Sequence, residues 1–242
     1  MGVRLYESLD STNSEAQRYL SSSNTNAASW ILADKQDSGR GRMGSTWISD
    51  EGNLFCSLIY PITWELEILP MLSCLVAVSI HETLIFYIKE NKNLKIKWPN
   101  DILIDDAKIS GALIENIITS TKKYSIIGVG INIVNAPNID IYKTSFINRY
   151  LERKVTRNEV FLKFKEIIEK KLKSFSRDSL SVLKKTMLSN AWSINKNIKY
   201  MSGAITGEGV FLNISNDYQI IIRDCNSQLI NLSSGEIKIV RD

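Results

Sequence analysis

Three strand-like segments follow one another closely in the middle of the chain, and this run constrains the fold more than any other feature. They cover residues 94–98, 109–118 and 124–134. The last two are rich in isoleucine, which favours β-strands. Asp105-Asp106 predicts a hairpin turn between the first two segments. Further strands are predicted near Leu5 and at residues 30–33 and 54–60.

Helical patterns surround this run. Thr12 and Glu15 have the spacing of a capping box, which predicts a helix from Thr12 to about Leu20. Residues 66–88 form a long apolar stretch with Pro70 in its first turns, where proline is tolerated. Polar residues interrupt this stretch, so it is interpreted as a buried helix and not as a membrane span. Two further helices are predicted at residues 157–175 and 180–191.

The pattern changes after Trp192. Five short strands separated by turn residues are predicted at residues 198–201, 204–214, 218–223, 228–232 and 236–240. Their spacing is typical of a small barrel. We therefore predict two domains, residues 1–192 and residues 193–242.

Composition excludes several classes of chemistry. The 242 residues carry a net charge of +4, which is too small and too scattered for a dedicated nucleic-acid binder. The single histidine is His81, and Cys56, Cys74 and Cys225 lie far apart. This arrangement argues against a zinc site or a histidine base. We expect the cysteines to be reduced and the protein to be cytoplasmic, because no targeting segment is evident.

A glycine- and arginine-rich segment, Ser38-Gly39-Arg40-Gly41-Arg42-Met43-Gly44, follows an early strand. Glycines allow backbone N–H groups to approach a ligand closely. The two arginines offer bidentate contacts to carboxylate or phosphate. A mobile surface hairpin and an arginine–glycine nucleic-acid contact are the alternatives at this point.

The segment Lys97-Trp98-Pro99-Asn100-Asp101 has a rigid centre. Pro99 fixes its own backbone and disfavours a helical Trp98. Lys97, Asn100 and Asp101 are therefore predicted to project from a turn at the end of a strand. A plain turn without a functional role is the alternative.

Two strands contain glycines in apolar surroundings. Gly111 follows Lys108 in one strand, and Gly128 and Gly130 precede Asn132 in the next. A glycine inside a strand indicates close approach of a ligand or of another backbone. Gly128-Val129-Gly130 is not interpreted as a dinucleotide fingerprint, because a third glycine is missing and no helix follows.

In this order, the segments resemble those of the biotin–protein ligases. The resemblance consists of the Ser11-Thr12-Asn13 start, the Gly-Arg-Gly-Arg-x-Gly-x-x-Trp loop, Lys-Trp-Pro-Asn-Asp, Lys-x-x-Gly-x-Leu-x-Glu and Gly-x-Gly-Ile-Asn, and it extends to the terminal Ser-Gly-Glu-Ile. It implies an α+β fold in which a mixed central sheet has flanking helices, as in class II aminoacyl-tRNA synthetases. It also implies a small C-terminal SH3-like β-barrel.

The same resemblance implies roles for individual residues. The biotin site is expected to comprise Ser11, Thr12, Asn13, Gln36, Arg40, Gly41, Arg42 and Lys108. The ATP site is expected to comprise Arg40, Arg42, Trp47, Lys97, Asn100 and Asn132. Gly39, Gly111 and Gly130 are expected to form the pocket floor. The catalytic residues are expected to be Lys108, which contacts the biotin carboxylate, Arg42, and Asp101, which assists deprotonation of the incoming lysine.

The implied reaction explains this choice of residues. The biotin carboxylate attacks the α-phosphate of ATP, and a lysine of a biotin carboxyl carrier protein then attacks the biotinyl-adenylate. Two anions meet in the first step, so cations and N–H donors are required. Mg²⁺ is expected to accompany ATP without a metal site made by the protein alone. The expected assembly is a monomer or homodimer, without DNA or membrane as a partner.

Two departures from the family pattern lead to further expectations. Met43 and Ser45 occupy loop positions that are often basic in relatives, which leaves more of the loop charge to Arg40 and Arg42. Bifunctional relatives carry a winged-helix domain before the Ser-Thr-Asn segment, and ten residues precede Ser11 here. This predicts a ligase without repressor activity.

Two alternatives remain open from the sequence. A lipoate-type protein ligase would share the fold and the adenylation chemistry, but it should lack the Gly-Arg-Gly-Arg-x-Gly loop. A nucleic-acid-binding or regulatory module would use the basic loop and the barrel, and it predicts salt-sensitive DNA binding. That second alternative leaves residues 97–101 without a role.

Overall fold

A seven-stranded sheet forms the centre of the protein. The computed structural model describes residues 1–22, 27–88 and 93–240. The sheet has the order β1-β2-β3-β7-β6-β5-β4, and β1 and β2 are parallel while every other pair is antiparallel. This confirms the mixed central sheet. Its strands are β1 (Gly2–Leu9), β2 (Ser29–Gln36), β3 (Leu54–Pro61), β4 (Leu94–Lys97), β5 (Asp101–Ile104), β6 (Ala107–Ile118) and β7 (Lys123–Ile131).

Helices cover both faces of this sheet. α1 (Thr12–Ser22) packs on one face, where Ala16 and Leu20 meet Ile31 of β2. The neighbouring Trp30 points to the opposite face, because side chains alternate along a strand. There it contacts Phe161 of α3 (Arg157–Lys173) edge-to-face at 5.2 Å between ring centroids. α2 (Leu72–Tyr87) and α4 (Leu180–Ser189) complete this larger core.

The long apolar segment is a buried helix, as predicted, but its start is different. Leu66–Met71 forms a 3-10 helix that contains Pro70, and α2 continues it from Leu72. Among the described residues, Leu66–Tyr87 is long and apolar enough to cross a membrane, but 72% of its most apolar window is buried inside the protein. The segment therefore serves as core of the fold.

One strand was missed in the sequence, and one turn was misplaced. The short strand β5 lies between the predicted hairpin partners, so Asp105-Asp106 connects β5 to β6 and not β4 to β6. Both aspartates have positive φ, 48° and 64°, as tight two-residue hairpins require. The turn from β4 to β5 consists of Trp98-Pro99-Asn100, with a cis bond before Pro99.

The predicted helix at Thr12 is present, but the Thr12 side chain makes other hydrogen bonds than those of the predicted capping box. Its hydroxyl donates to Gln36 Oε1 at 3.1 Å and lies 2.8 Å from Ser57 Oγ. Glu15 instead contacts Arg18 and Tyr6. The Thr12 side chain is therefore committed to neighbouring strands of the sheet.

The C-terminal segment forms a second, antiparallel sheet of the order β11-β10-β9-β8-β12. This confirms the predicted all-β appendage. It packs on the first sheet through Trp98, whose Nε1 donates to the Tyr218 carbonyl at 3.3 Å. The predicted domain boundary after Trp192 stays a prediction, and residues 241 and 242 lie outside the described part. The strands are β8 (Asn197–Ser202), β9 (Ile205–Ile214), β10 (Ile220–Asp224), β11 (Leu229–Leu232) and β12 (Glu236–Ile239).

Candidate active site

One cavity of about 1230 Å³ gathers the segments that were singled out in the sequence. Its lining carries seven basic and five acidic side chains, which gives a net charge of +2 and suits an anionic ligand. Most predicted site residues line it: Ser11, Thr12, Asn13, Gln36, Arg40, Gly41, Arg42, Trp47, Lys97, Asn100, Asp101, Lys108, Gly111 and Gly130.

The start of α1 forms one end of the cavity. Ser11, Thr12 and Asn13 are all at least 96% buried. The Thr12 N–H donates to Gln36 Oε1 at 2.8 Å, and the Ser11 N–H donates to Asp10 Oδ1 at 2.7 Å. These two N–H groups are therefore hydrogen-bonded to side chains of the protein and are not free for a ligand. The polar side chains of the segment remain at the cavity surface.

The Gly-Arg loop folds into a closed hairpin beside this end. Gly41 N donates to the Ser45 carbonyl at 2.7 Å, and Trp47 N donates to the Gly39 carbonyl at 2.9 Å. At the tip, Met43 and Gly44 have φ of 53° and 76°, a region that glycine adopts without strain and methionine rarely adopts. The Ser45 hydroxyl donates to the Arg42 carbonyl at 2.8 Å, so this serine braces the turn.

Both loop arginines reach across to the central sheet. Arg40 forms an ion pair with Glu115 of β6 at 2.9 Å. Arg42 donates to Asn100 Oδ1 at 3.1 Å, and Asn100 in turn donates to the Ala112 carbonyl. Burial lowers the pKa of Arg42, against the opposing attraction of nearby acidic groups. An anionic ligand would offset this loss of hydration, because opposite charge favours the protonated form.

Lys108 occupies the middle of the cavity. Its Nζ lies 2.9 Å from Asp101 Oδ1, and both side chains are less than one-fifth exposed. The ammonium also lies 5.3 Å from the ring centroid of Trp47 and 5.6 Å from that of Tyr142, within the range of cation–π attraction. Two of the three predicted catalytic residues are therefore in direct contact.

Lys97 lies on the side of the cavity that faces the second sheet. Its Nζ is 4.0 Å from Glu236 Oε1 of β12 and 5.8 Å from the ring centroid of Trp192. Burial lowers the pKa of Lys97, while Asp101 and Glu236 act in the opposite direction. Because the nearby carboxylates do not fully offset the effect of burial on the Lys97 ammonium, a phosphate group would be a favourable partner for it.

The Trp47 ring packs closely against two of the glycines that were predicted to form the floor. A Cβ on Gly130 would come within 2.5 Å of the indole, and a Cβ on Gly111 within 3.2 Å. The two glycines face each other across β6 and β7. They are therefore required for the close approach of the indole, whose Nε1 is buried without a hydrogen-bond partner among the described residues.

Two predicted residues do not line the cavity. A Cβ on Gly39 would come within 2.3 Å of the Trp47 carbonyl, so Gly39 allows the two arms of the loop to meet and is not part of the floor. Asn132 is 2% exposed, and its Nδ2 donates to the Ser145 carbonyl at 3.0 Å. Asn132 thus supports the segment that includes Ser145, and its position does not support the expected contact with ATP.

Comparisons with known proteins identify the family of this chain. The profile of the Biotin/lipoate A/B protein ligase family matches residues 5–132. The bifunctional ligase/repressor BirA of Bacillus subtilis (strain 168) is 30% identical over 249 residues, which covers 99% of this chain and 75% of the BirA chain.

The chain belongs to the biotin/lipoate A/B protein ligase family.

Other members of the family extend the similarity. The biotin–[acetyl-CoA-carboxylase] ligase of Paracoccus denitrificans is 31% identical over 130 residues, and the match covers 53% of each chain. The structure of the biotin protein ligase from Aquifex aeolicus in complex with biotin and ATP has a TM-score of 0.81 at 25% identity. That match covers 100% of this chain and 99% of the Aquifex chain. The ligase fold with two sheets is thereby confirmed.

Several residues in or beside this cavity were not predicted as site residues from the sequence. Gly128 lies under Asn13, where a Cβ would come within 2.2 Å of Oδ1. Glu115 bonds Asn13 and Arg40 and was quoted only as part of a motif. Residues 138–145 and the end of the second sheet also line the cavity, including Glu236. Only the terminal Ser-Gly-Glu-Ile could have pointed to Glu236.

The acidic residues of the cavity do not by themselves form a metal site. Within residues 1–22, 27–88 and 93–240, no group of three or more His, Cys, Asp or Glu side chains is arranged to hold a metal ion. Asp101, Asp105, Asp106 and Glu236 nevertheless line the cavity. Mg²⁺ commonly binds through one or two carboxylates together with substrate phosphates and water. These carboxylates therefore fit a Mg²⁺ ion that arrives with ATP.

Proposed function

We propose that this protein activates biotin with ATP and transfers it to a specific lysine of a biotin carboxyl carrier protein. It is an ATP-dependent biotin ligase. The observation that carries the proposal is the convergence of Arg40, Arg42, Lys97 and Lys108 on a cavity whose other end is the buried Ser11-Thr12-Asn13 segment. A neutral polar end and a cationic end match a ligand with a ureido ring and a carboxylate.

The first step joins two anions. An oxygen of the biotin carboxylate attacks the α-phosphorus of ATP, and the bond to the β-phosphate breaks to release pyrophosphate. Negative charge accumulates on the phosphoryl oxygens, where positioned cations stabilise it. We assign this role to Lys108 and Arg42. Lys97, at the side that faces β12, is assigned to the phosphate chain.

The second step transfers the biotinyl group. The neutral amine of the acceptor lysine attacks the carbonyl carbon of the adenylate, AMP leaves, and the amine loses a proton. Asp101 is the proposed helper for this proton. Its Oδ1 now holds the Lys108 ammonium at 2.9 Å, so acting as a base requires that this pair separate when ligands bind.

The loop protects the intermediate from water. An acyl-adenylate hydrolyses easily, and closing a site excludes water from a reactive intermediate. Arg40 and Arg42 tie the loop to β6 and to the turn before β5. Mg²⁺ would supply charge neutralisation on the ATP phosphates, with Asp101 and Glu236 of the cavity lining as candidate ligands.

A single assay tests the proposal. The protein is incubated with biotin, ATP, Mg²⁺ and a biotin-carrier domain, and pyrophosphate release and acceptor labelling are measured. We expect both, with labelling abolished when the acceptor lysine is replaced by arginine. Pyrophosphate release without labelling would limit the protein to adenylation. The absence of both would refute the proposed function.

Lipoate serves as the matched control substrate, because the family includes lipoate ligases. We expect no labelling with lipoate in place of biotin and no competition by excess lipoate. The reverse preference would favour the lipoate-type alternative. EDTA should abolish activity and added Mg²⁺ should restore it, because Mg²⁺ is proposed to enter with ATP.

The remaining parts of the proposal have separate tests. The lack of repressor activity predicts no sequence-specific mobility shift of DNA in the presence of biotin and ATP. Cell fractionation tests the cytoplasmic location, and sedimentation tests the expected monomer or homodimer. Each of these results is independent of the ligase assay.

A further inference from the structure

Glu115 lies outside the cavity lining but connects three elements that form the site. It belongs to β6, and its side chain is 24% exposed. Oε2 accepts from Asn13 Nδ2 at 2.7 Å and from Arg40 NH2 at 2.9 Å, while Oε1 accepts from Gln17 Nε2 at 3.2 Å. Helix α1, the Gly-Arg loop and the central sheet thus meet at one carboxylate.

The first consequence concerns the orientation of Asn13. Its Nδ2 faces two acceptors, Glu115 Oε2 and, at 3.4 Å, the Leu113 carbonyl. An amide nitrogen only donates and an amide oxygen only accepts, so these partners fix which end is which. Asn13 Oδ1 is thereby turned towards Ser57 Oγ at 2.6 Å, over Gly128. Glu115 consequently sets the polarity of this end of the cavity.

The second consequence concerns Arg40. One terminal nitrogen of its guanidinium serves Glu115, and a guanidinium has five N–H donors. The ion pair therefore anchors the loop to β6 and leaves donors available for an anion in the cavity. Asn13 and Arg40 share the same oxygen, so displacement of one changes the hydrogen bonding of the other.

We propose that Glu115 is a positioning residue, which orients Asn13 for the ligand and holds Arg40 so that the loop stays closed over the adenylate. This inference rests on the proposed biotin ligase function. Glu115 acts through Asn13 and Arg40 and does not contact the reacting atoms. The site therefore extends one layer beyond the cavity surface, to the last residue of the Lys-x-x-Gly-x-Leu-x-Glu motif.

Kinetic constants distinguish a positioning role of Glu115 from an ion pair that only stabilises the fold. Loss of the Asn13 orientation should weaken biotin binding and leave ATP binding unchanged. Loss of the Arg40 anchor should speed release of the adenylate. A stabilising role alone would lower the melting temperature and leave both kinetic quantities unchanged.

The experiment uses the full chain with two variants, Glu115→Gln and Glu115→Ala. Gln keeps the volume and one acceptor oxygen but removes the charge, while Ala removes every contact. Glu208→Gln is the matched control, because Glu208 forms an exposed ion pair with Lys199 at 3.2 Å in the second sheet. KM for biotin, KM for ATP, kcat and the release rate of the adenylate are measured with biotin, ATP, Mg²⁺ and a carrier domain.

We expect KM for biotin to rise about tenfold in Glu115→Ala and about threefold in Glu115→Gln, as expected for lost hydrogen bonds to a charged group. Adenylate release should be about threefold faster in both variants, the size of a partly exposed ion pair. KM for ATP should rise less than KM for biotin in the same variant, by no more than about twofold, because only the Arg40 anchor affects the expected ATP site and a partly exposed ion pair contributes little. Glu208→Gln should match the wild type throughout.

The outcomes separate this inference from the proposed function. An inactive wild type refutes the function itself. An active wild type with both Glu115 variants equal to Glu208→Gln overturns the inference, as does an equal rise in KM for biotin and ATP. If Glu115→Ala fails to fold, the isosteric Glu115→Gln decides alone. A double variant gives a further test. Because Glu115 is proposed to hold the loop through Arg40, the Arg40→Gln/Glu115→Gln protein should release the adenylate no faster than Arg40→Gln alone. If the two substitutions multiplied the release rate, the inference would also be overturned.

Discussion

Gly128→Ala is the substitution that tests the geometry of the site most directly. Gly128 lies in β7 beneath Asn13, and an added Cβ would come within 2.2 Å of Asn13 Oδ1 and 2.9 Å of its Cγ. Ordinary contact begins near 3.4 Å, so the amide must move by more than 1 Å. Asn13 is 3% exposed and is hydrogen-bonded to Glu115 and Ser57, so movement of the amide disturbs these bonds.

The size of the effect follows from these contacts. Overpacking a core site by one methyl costs about 1–3 kcal/mol. Rotation of Asn13 away from Glu115 also loses a hydrogen bond to a charged group, worth about 1.5–3 kcal/mol. Because movement of Asn13 relieves the clash, the two costs partly replace each other, and a net loss of about 3 kcal/mol in the free energy of unfolding is expected. Biotin affinity should fall about tenfold if the ligand loses one hydrogen bond.

Urea denaturation and calorimetric titration with biotin measure the two quantities. Gly2→Ala is the matched control, because Gly2 lies in the same sheet with no atom within 4 Å of the added Cβ. A Gly128→Ala protein that matched Gly2→Ala in both stability and biotin affinity would refute the assigned contact between Asn13 and β7. Loss of stability with unchanged affinity would remove Asn13 from the biotin site.

Three further predictions concern charged residues. Arg42→Gly should leave the fold intact and release the adenylate about tenfold faster, because fewer donors hold the loop closed; trapping of free adenylate measures this. Lys108→Ala should lower kcat about a hundredfold or more while unfolding free energy falls by about 1 kcal/mol, since the charge is needed mainly in the transition state. Asp10→Asn should cost less than about 1 kcal/mol near neutral pH, because the Asp10–Arg18 pair is half exposed. The Arg18 hydrogen bond lowers the pKa of Asp10 from 3.8 to about 2, so its stabilisation is present above about 3.8 and is lost as pH falls towards 2.

Each of these predictions has a result that would contradict it. An Arg42→Gly protein that retained the adenylate as wild type does and labelled only the cognate acceptor would show that Arg42 does not hold the Gly-Arg loop closed. Near-normal turnover of Lys108→Ala would remove Lys108 from the catalytic residues, with Lys199→Ala as the control for loss of a lysine in an exposed ion pair. A constant stability difference between wild type and Asp10→Asn from neutral pH to below pH 3 would show that the Asp10 charge has no such role.

Local patterns predicted most of the secondary structure, because the spacing of buried apolar residues in a helix or strand can be recognised within a short segment. The strands with continuous apolar residues, such as β3 and β7, are buried on both faces and were found. β5 was missed because its four residues are too short for a period, and its pairing with β4 and β6 alone makes it a strand. The residues that line the cavity were named largely through the family resemblance, since spacing alone left a plain turn and a surface hairpin as alternatives.

The four-residue pattern Thr-x-x-Glu occurs twice, and its side chains form different hydrogen bonds in the two places. At Thr156 and Glu159 both hydrogen bonds of the capping box form at the start of α3. At Thr12 the hydroxyl turns instead to Gln36 and Ser57, which the fold brings to the start of α1 from β2 and β3. The sequence by itself predicted a helix at both positions, from the Thr-x-x-Glu spacing at Thr12 and from the apolar period in the segment that starts at Arg157.

Only the tertiary structure decided which side chains of the motifs face the ligand and which support them. The sequence determined the order of motifs and the cationic loop, and the family resemblance implied the mixed sheet. Strand pairing then set Gly111 against Gly130 beneath Trp47, placed Asn132 behind the cavity and joined Arg40 to Asn13 through Glu115. These contacts join residues far apart in the chain, so their energies depend on the packing of distant segments and leave no local pattern to recognise.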